Sequence, residues 1–346
     1  MIIGSREVGV GRSPYIVAEI GAAHNASLDV MRALMVEARD AGADALKIQA
    51  FTEDTITINS HDPEFIVQSG PWKGWRLYDL YEVASTPREW YPEIFSYAKT
   101  LGIPVFASVF SREDLAEMER MGCPVYKIAS PEIVDVDLIG AVAATHKPMI
   151  LSTGMAQEGD VTQALLAITQ DGRQLDNVCV LHCVSEYPVS EGGEGMGIIS
   201  EMQRTLGGVA IGYSDHTIGI TAAIAATALG AALIEKHITL SRDAGGLDDG
   251  FASTPEEFAM MVRAVRRTHK SMRRESSTGE MAHFSLRRSL YVVKDIKAGE
   301  QFTRDNVRSI RPSKGLEVKH LPTVLNSVAN RDIQAGTPLS LDFVGR

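Results

Sequence analysis

The chain has little of what would place it outside the cell, in a membrane or on a nucleic acid. Only three of its 346 residues are cysteine, Cys123, Cys179 and Cys183. Their odd number and the absence of a CxxC pair exclude a disulfide framework and fit a reducing compartment. Cys179 and Cys183 fall on one face of a predicted strand and read as buried packing rather than metal ligands. Basic charge is in deficit, with 34 Lys and Arg against 44 Asp and Glu for a net charge of −10, which argues against a general nucleic-acid binder. One basic cluster, residues 263–274, runs against that trend and reads as the solvated face of a last helix. No charged segment followed by an apolar core opens the sequence, so a cytoplasmic protein is expected, not a secreted one. The charge-free stretch 218–234 is short for a bilayer span and runs directly into Glu235-Lys236-His237. It reads as a buried helix followed by a strand. No GxGxxG or Walker pattern follows a strand, so the glycines at 192–197 and 245–246 signal loops rather than nucleotide binding.

What the chain does have is a repeat of simple units. With 45% hydrophobic and 23% charged residues it can fill a large core. Eight apolar runs, at 15–20, 45–51, 104–110, 124–129, 148–153, 178–184, 209–213 and 232–238, alternate with helical patterns at 28–41, 87–101, 113–121, 137–144, 161–168, 198–206, 218–229 and 255–272. Thr86-Pro87 and Ser253-Thr254-Pro255 carry helix-start chemistry, and Gly42 and Gly102 mark helix exits. Eight strand–helix units predict a parallel (β/α)8 TIM barrel, with its active site at the C-terminal strand ends. Residues 1–274 form this barrel, 275–286 a polar linker, and 287–346 a small β-rich domain. About sixty residues is small for an independent core, so that domain is expected to lean on the barrel or a second subunit.

The strand ends carry chemistry. Period-two geometry lets Lys47 and Gln49 face inward together, as it does Glu235 with His237, turning Lys236 outward. Lys47 and Lys127 then share a cavity with Ser130, Ser152, Ser185 and Ser214, a set of cations and hydroxyls that suits a phosphorylated anion. His216 and His237, on the seventh and eighth strands, offer two imidazoles for a divalent metal. No HxH or HExxH motif reinforces them. Glu19, Glu132, Glu235, Asp215 and Asp248 are available as further ligands or acid–base groups. His24-Asn25 approaches the same mouth. The loop at 59–85, with Trp72, Trp75, Tyr78 and Tyr81, reads either as a lid or specificity wall or as a local satellite core.

The ordered set Ala18-Glu19-Ile20-Gly21, His24-Asn25, Leu46-Lys47-Ile48-Gln49, Tyr126-Lys127-Ile128-Ala129-Ser130, Ser152-Thr153-Gly154-Met155, Ser214-Asp215-His216-Thr217 and Glu235-Lys236-His237 closely resembles the sialic acid synthase family. The C-terminal piece, with Arg287-Arg288-Ser289, Arg311-Pro312 and Gly315-Leu316, is similar to that family's antifreeze-like (SAF) domain, of the β-clip type. The resemblance implies condensation of phosphoenolpyruvate with an open-chain acetamido sugar and release of phosphate, with a divalent metal. Manganese is the first candidate, magnesium and cobalt the others. It implies that Lys47, Lys127, Ser130, Ser152, Ser185 and Ser214 hold phosphoenolpyruvate and that His216 and His237 hold the metal. Glu19 and Glu132 would position sugar and water and move protons. Gln49, Ser108, Phe110, Tyr187 and Asp248 would complete the substrate site, and Arg311 would reach over a partner's site in a domain-swapped homodimer.

Within the family, the segments 72–81 and 245–251 and Ser185 are similar to the branch that makes pseudaminic acid. Ala23, Ala26, Leu247 and Lys314 depart from the usual pattern, which leaves the reaction class intact and the sugar open. N-acetylneuraminate or legionaminate synthesis is the nearer alternative, and a Schiff-base aldolase using Lys47 or Lys127 is another. A non-catalytic carbohydrate-binding protein is the alternative of a different class.

Overall fold

The computed structural model describes residues 1–170, 172–272 and 283–345. Contacts separate the chain into two compact units, Met1–Arg273 and Arg274–Arg346. The first is a closed eight-stranded parallel barrel. Its strands are β1 Tyr15–Glu19, β2 Ala45–Ala50, β3 Val105–Val109, β4 Tyr126–Ile128, β5 Met149–Ser152, β6 Val178–Cys183, β7 Ala210–Asp215 and β8 Leu233–His237. Each lies inside a predicted run or overlaps it closely, because a strand covered on both faces must be apolar along its length. Closure comes from β8 pairing with β1, from Leu233 opposite Tyr15 to His237 opposite Glu19. Gly212 on β7 is required by packing: a Cβ there would lie 2.5 Å from a Leu181 methyl and 2.7 Å from the Leu233 carbonyl oxygen.

Eight helices surround the barrel: α1 Leu28–Asp40, α2 Tyr91–Leu101, α3 Arg112–Met121, α4 Val136–Ala143, α5 Asp160–Thr169, α6 Gly197–Thr205, α7 Thr221–Ala228 and α8 Pro255–Met272. Ser27, Ser111 and Asp135 accept backbone N–H bonds at the starts of α1, α3 and α4. A capping box starts α8, where Thr254 Oγ1 accepts from Glu257 N and a Glu257 oxygen accepts from Thr254 N. Thr86, expected to cap, does not: its buried hydroxyl has no partner among the described residues, and the turn Arg88–Trp90 precedes α2 instead. Gly102 and Gly122 leave α2 and α3 in the left-handed conformation. The charge-free stretch divides into α7 and β8 as expected, and among the described residues no helix is long and apolar enough to cross a membrane. On α8 the basic residues Arg263, Arg266, Arg267 and Lys270 are exposed, opposite the buried Phe258, Met261, Val262 and Val265. Arg273 and Arg274 of that cluster lie outside the described residues.

The segment after β2 has secondary structure of its own. It holds two short helices, Glu53–Ile56 and Leu77–Ala84, and an antiparallel bridge between Ile66 and Arg76. In the second unit, Ser289–Val292 pairs antiparallel with Val307–Ile310, and Val328–Ala329 with Val344–Gly345. This unit has a hydrophobic cluster of its own, including Leu290, Val292, Phe302, Val307, Val324 and Leu339. Of the expected linker, residues 275–282 lie outside the described residues, and Phe284–Leu286 forms a 3-10 turn.

Candidate active site

Alternation along the strands sends one set of side chains into the barrel mouth. From β2, Lys47 and Gln49 both reach Glu19 at the end of β1: Gln49 Nε2 donates to Oε1 at 2.8 Å, and Lys47 Nζ lies 3.1 Å from Oε2. Lys47 also donates to Ser108 Oγ on β3 at 3.2 Å. Lys127 on β4 reaches across to β8 and donates to both oxygens of Glu235, at 2.8 and 3.0 Å. Ser214 donates to the same carboxylate at 3.1 Å, and Lys47 stands 3.3 Å from it. Glu235 therefore joins four strands. The sequence marked it only as one of several available carboxylates; its inward register with His237 was the signal that could have singled it out.

The electrostatics follow from burial and neighbours. Burial alone would depress Lys47, but Glu19 and Glu235 outweigh it and hold the ammonium above its ordinary pKa. Lys127 goes the other way, lowered by burial and by Lys47, with Glu235 only partly offsetting. Burial opposes charge on Glu235 as well, yet the two lysines keep it ionised. Glu132, in the turn Pro131–Val134 after β4, forms no ion pair among the described residues. Burial raises its pKa from 4.5 to about 7, and its Oε2 has no partner among the described residues.

The serines divide. Ser130 Oγ accepts from Gly154 N at 3.0 Å. The Oγ atoms of Ser152 and Ser185 are buried with no partner among the described residues. A Cβ on Gly154 would collide with Ser185 Oγ and come within 2.9 Å of Ser130 Oγ, so only glycine lets this backbone approach both hydroxyls. Unpaired buried hydroxyls cost free energy unless something else bonds them, which makes this cluster a cradle for an acceptor-rich group.

The imidazoles of His216 and His237 have ring centroids 5.5 Å apart. His216 Nδ1 lies 2.8 Å from the Val184 carbonyl, which can only accept, so this nitrogen carries a proton and Nε2 is the one left to face a ligand. Cys183 Sγ lies 3.9 Å from the same Nδ1. Burial would raise the Cys183 pKa, but His216 outweighs it and lowers it, so this cysteine borders the site rather than only packing. His237 Nδ1 lies 3.4 Å from Asp248 Oδ2, and it is buried with no hydrogen-bond partner among the described residues. Asp248 also accepts from Ala22 N at 2.9 Å, close packing that requires Gly21, where a Cβ would strike Asp248. No group of three metal-ligating side chains forms among the described residues. Two buried imidazoles, one oriented through its other nitrogen, fit a divalent ion that takes its remaining ligands from water and substrate.

An aromatic wall stands beside them. Tyr187 lies 4.2 Å from His216, Phe251 5.0 Å from His237, and Trp72 5.4 Å from Tyr187. Phe110 packs edge-on against Phe51 at 5.0 Å, and Phe51 against Tyr81. His24 is fully buried edge-on to Trp90, and burial lowers its pKa to about 4, so it is neutral. Asn25 is exposed, and its Nδ2 donates to Asp249 at 3.2 Å. Asp215, weighed as a ligand or acid–base group, belongs to neither. It lies on the outer face of β7, where Lys236 donates to it at 2.8 Å and to the Thr217 carbonyl at 2.6 Å. Lys236 thus points away from the mouth yet remains buried. Arg311 lies in the second unit, lining a cavity there with Arg288, Ser309 and Ile310.

A model described as the NeuB family matches residues 34–277, and a SAF domain model matches 287–344. The chain belongs to the NeuB family. It is 38% identical over 341 residues to the pseudaminic acid synthase of Helicobacter pylori, covering 96% of this chain and 98% of that one. It is 30% identical to the N,N'-diacetyllegionaminic acid synthase of Campylobacter jejuni, covering 92% and 96%. Among solved structures it is similar to the N-acetylneuraminic acid synthetase of Leptospira borgpetersenii, with TM-score 0.72 and 27% identity over 82% of this chain and 94% of that one. This NeuB-family chain is an enzyme of the nonulosonic acid synthase class, with a TIM barrel and a SAF domain.

Proposed function

We propose that the enzyme condenses phosphoenolpyruvate with open-chain 2,4-diacetamido-2,4,6-trideoxy-L-altrose and water, yielding pseudaminic acid and phosphate. The observation that carries this is the adjacency of the lysine–serine cradle and the imidazole pair in one mouth. Lys47 and Lys127 hold the carboxylate and phosphate, with Ser130, Ser152, Ser185 and Ser214 as hydroxyl partners. Two ammonium groups facing Glu19 and Glu235 make a cluster without net charge, so the unpaired hydroxyls supply much of what a phosphate needs. The methylene carbon of phosphoenolpyruvate forms a bond to the aldehyde carbon, whose oxygen takes a proton. Water adds to the former enol carbon, losing one proton; the added hydroxyl then loses its second proton and becomes the ketone oxygen as that carbon's bond to the phosphate oxygen breaks. Glu132, titrating near neutrality, is suited to both giving and taking a proton. Glu19, braced by Gln49 and Lys47, orients water and sugar beside it. A divalent ion held by His216 and His237, with manganese first and magnesium or cobalt as alternatives, supplies Lewis-acid polarisation of the aldehyde oxygen. Arg311 acts on the sugar in the barrel of a second copy, in a domain-swapped homodimer.

The test is phosphate release from phosphoenolpyruvate with manganese against this altrose, its mannose-configured counterpart and N-acetylmannosamine. Release with the altrose alone supports the proposal; release with another member keeps the chemistry and changes the sugar. One observation favours a second reading. The lowered pKa of Lys127 is what a Schiff-base lysine needs, and borohydride trapping with activity that survives chelation would establish it.

A further inference from the structure

Beside the imidazole pair, the segments after β2, β6 and β8 form an open cavity of ≈ 370 Å³, lined by Trp72, Tyr187, Leu247 and Phe251 with prolines 71 and 188 at its edge. None of its lining residues is charged. Two of its lining rings also border the candidate metal site, since Tyr187 packs on His216 and Phe251 on His237. Its roof is held in place: Trp72 Nε1 donates to the Leu247 carbonyl at 3.2 Å, tying the segment after β2 to that after β8. The bond consumes the only polar atom of the indole and leaves the ring to the cavity.

The rest of the mouth differs in kind. Between β1 and β7 it is lined by lysines, carboxylates and serines. A substrate that spans both regions must be polar where it reacts and apolar at its far end. Resting on the function proposed above, we propose that Trp72 and Phe251, with Leu247, form a specificity pocket for the apolar 6-deoxy terminus of the aldose. The pocket selects 6-deoxy sugars over 6-hydroxy sugars, whatever the configuration at their other carbons. A hydroxymethyl group set against Trp72, Leu247 and Phe251 gives up its water without gaining a hydrogen-bond partner from those three side chains.

The experiment compares kcat/KM for a 2,4-diacetamido-2,4,6-trideoxy aldose and its 6-hydroxy counterpart, using full-length manganese-loaded enzyme. An apolar pocket rejects an added hydroxyl by about 10–100-fold, and that preference is expected of the native enzyme. Trp72→Ala should reduce the ratio to about threefold or less through the sugar's KM, leaving the KM for phosphoenolpyruvate unchanged. Trp72→Phe, which keeps a ring and loses the bond to Leu247, should retain most of the preference. Trp72 is only half-buried on a surface segment, so its removal does not open the barrel core. An unchanged ratio in Trp72→Ala, or equal losses on both sugars, overturns the pocket while leaving the reaction standing. Absence of phosphate release with any aldose overturns the reading of the function, and the pocket with it.

Discussion

Two charge clusters sit back to back on β7 and β8, one residue apart in sequence. Ser214 and Glu235 face the barrel mouth; Asp215 and Lys236 face the surrounding helices. The outer cluster is closed. Lys236 meets one carboxylate and one carbonyl, and Asp215 also accepts from the backbone and hydroxyl of Thr217. The inner cluster is open: its lysines share carboxylates, while Ser152, Ser185 and one oxygen of Glu19 are buried without hydrogen-bond partners among the described residues. Both clusters bury charge, and burial of charge is costly. Only the open one leaves bonding capacity for a ligand. Completeness of pairing separates a structural cluster from a functional one here, where residue type does not.

Variants at the two faces test that distinction. The largest expected effect is on the outer face, where Lys236→Met leaves Asp215 buried without its cation. Urea unfolding should show a loss of about 3–5 kcal/mol, while the folded enzyme keeps its kcat; a fall in kcat at full stability would break the comparison. In the mouth the effects reverse. His237→Ala should lower turnover at least about 1,000-fold, about 4 kcal/mol, and abolish manganese binding by calorimetry with little change in unfolding.

Glu132→Gln comes next, with a pH signature. A carboxyl raised to about 7 favours the neutral form, so the native fold loses stability as pH rises from 4.5 through 7. The glutamine variant should match the native enzyme below about pH 4 and exceed it by roughly 3 kcal/mol above about pH 8. Equal stability at both pH values would remove the burial assigned to Glu132. Lys127→Met should raise the KM for phosphoenolpyruvate about 100-fold, about 2.7 kcal/mol. An unchanged KM would take Lys127 out of the substrate cradle. The smallest effect belongs to the outer double variant Asp215→Leu with Lys236→Met. Replacing both partners by apolar groups should leave stability within about 1 kcal/mol of native, and a full 3–5 kcal/mol loss would show that the pair does more than neutralise itself.

Much of this architecture is legible in the chain. Strands buried on both faces leave continuous apolar runs, and the polar residue ending each run marks the catalytic face because the units are parallel. Lys47, Gln49, Lys127 and His237 could be assigned inward by alternation alone. Thr86 misled because a threonine before a proline has capping chemistry whether or not its hydroxyl reaches a backbone N–H. The helix Leu77–Ala84 was hidden by its aromatics, whose side chains pack on distant elements such as Phe51.

The amino-acid order by itself determined the eightfold strand–helix alternation, the inward register of the site residues and the separate C-terminal domain, since each follows from periodicities of two, or of three to four, along the chain. Tertiary structure alone decided which inward groups meet. Glu235 became the shared partner of Lys47 and Lys127 only when the barrel brought β2, β4 and β8 around one axis. Trp72 reached Tyr187 and the Leu247 carbonyl, 115 and 175 residues away, only when three loops closed over the same mouth. Contacts across the barrel depend on its curvature and closure, which no local pattern encodes.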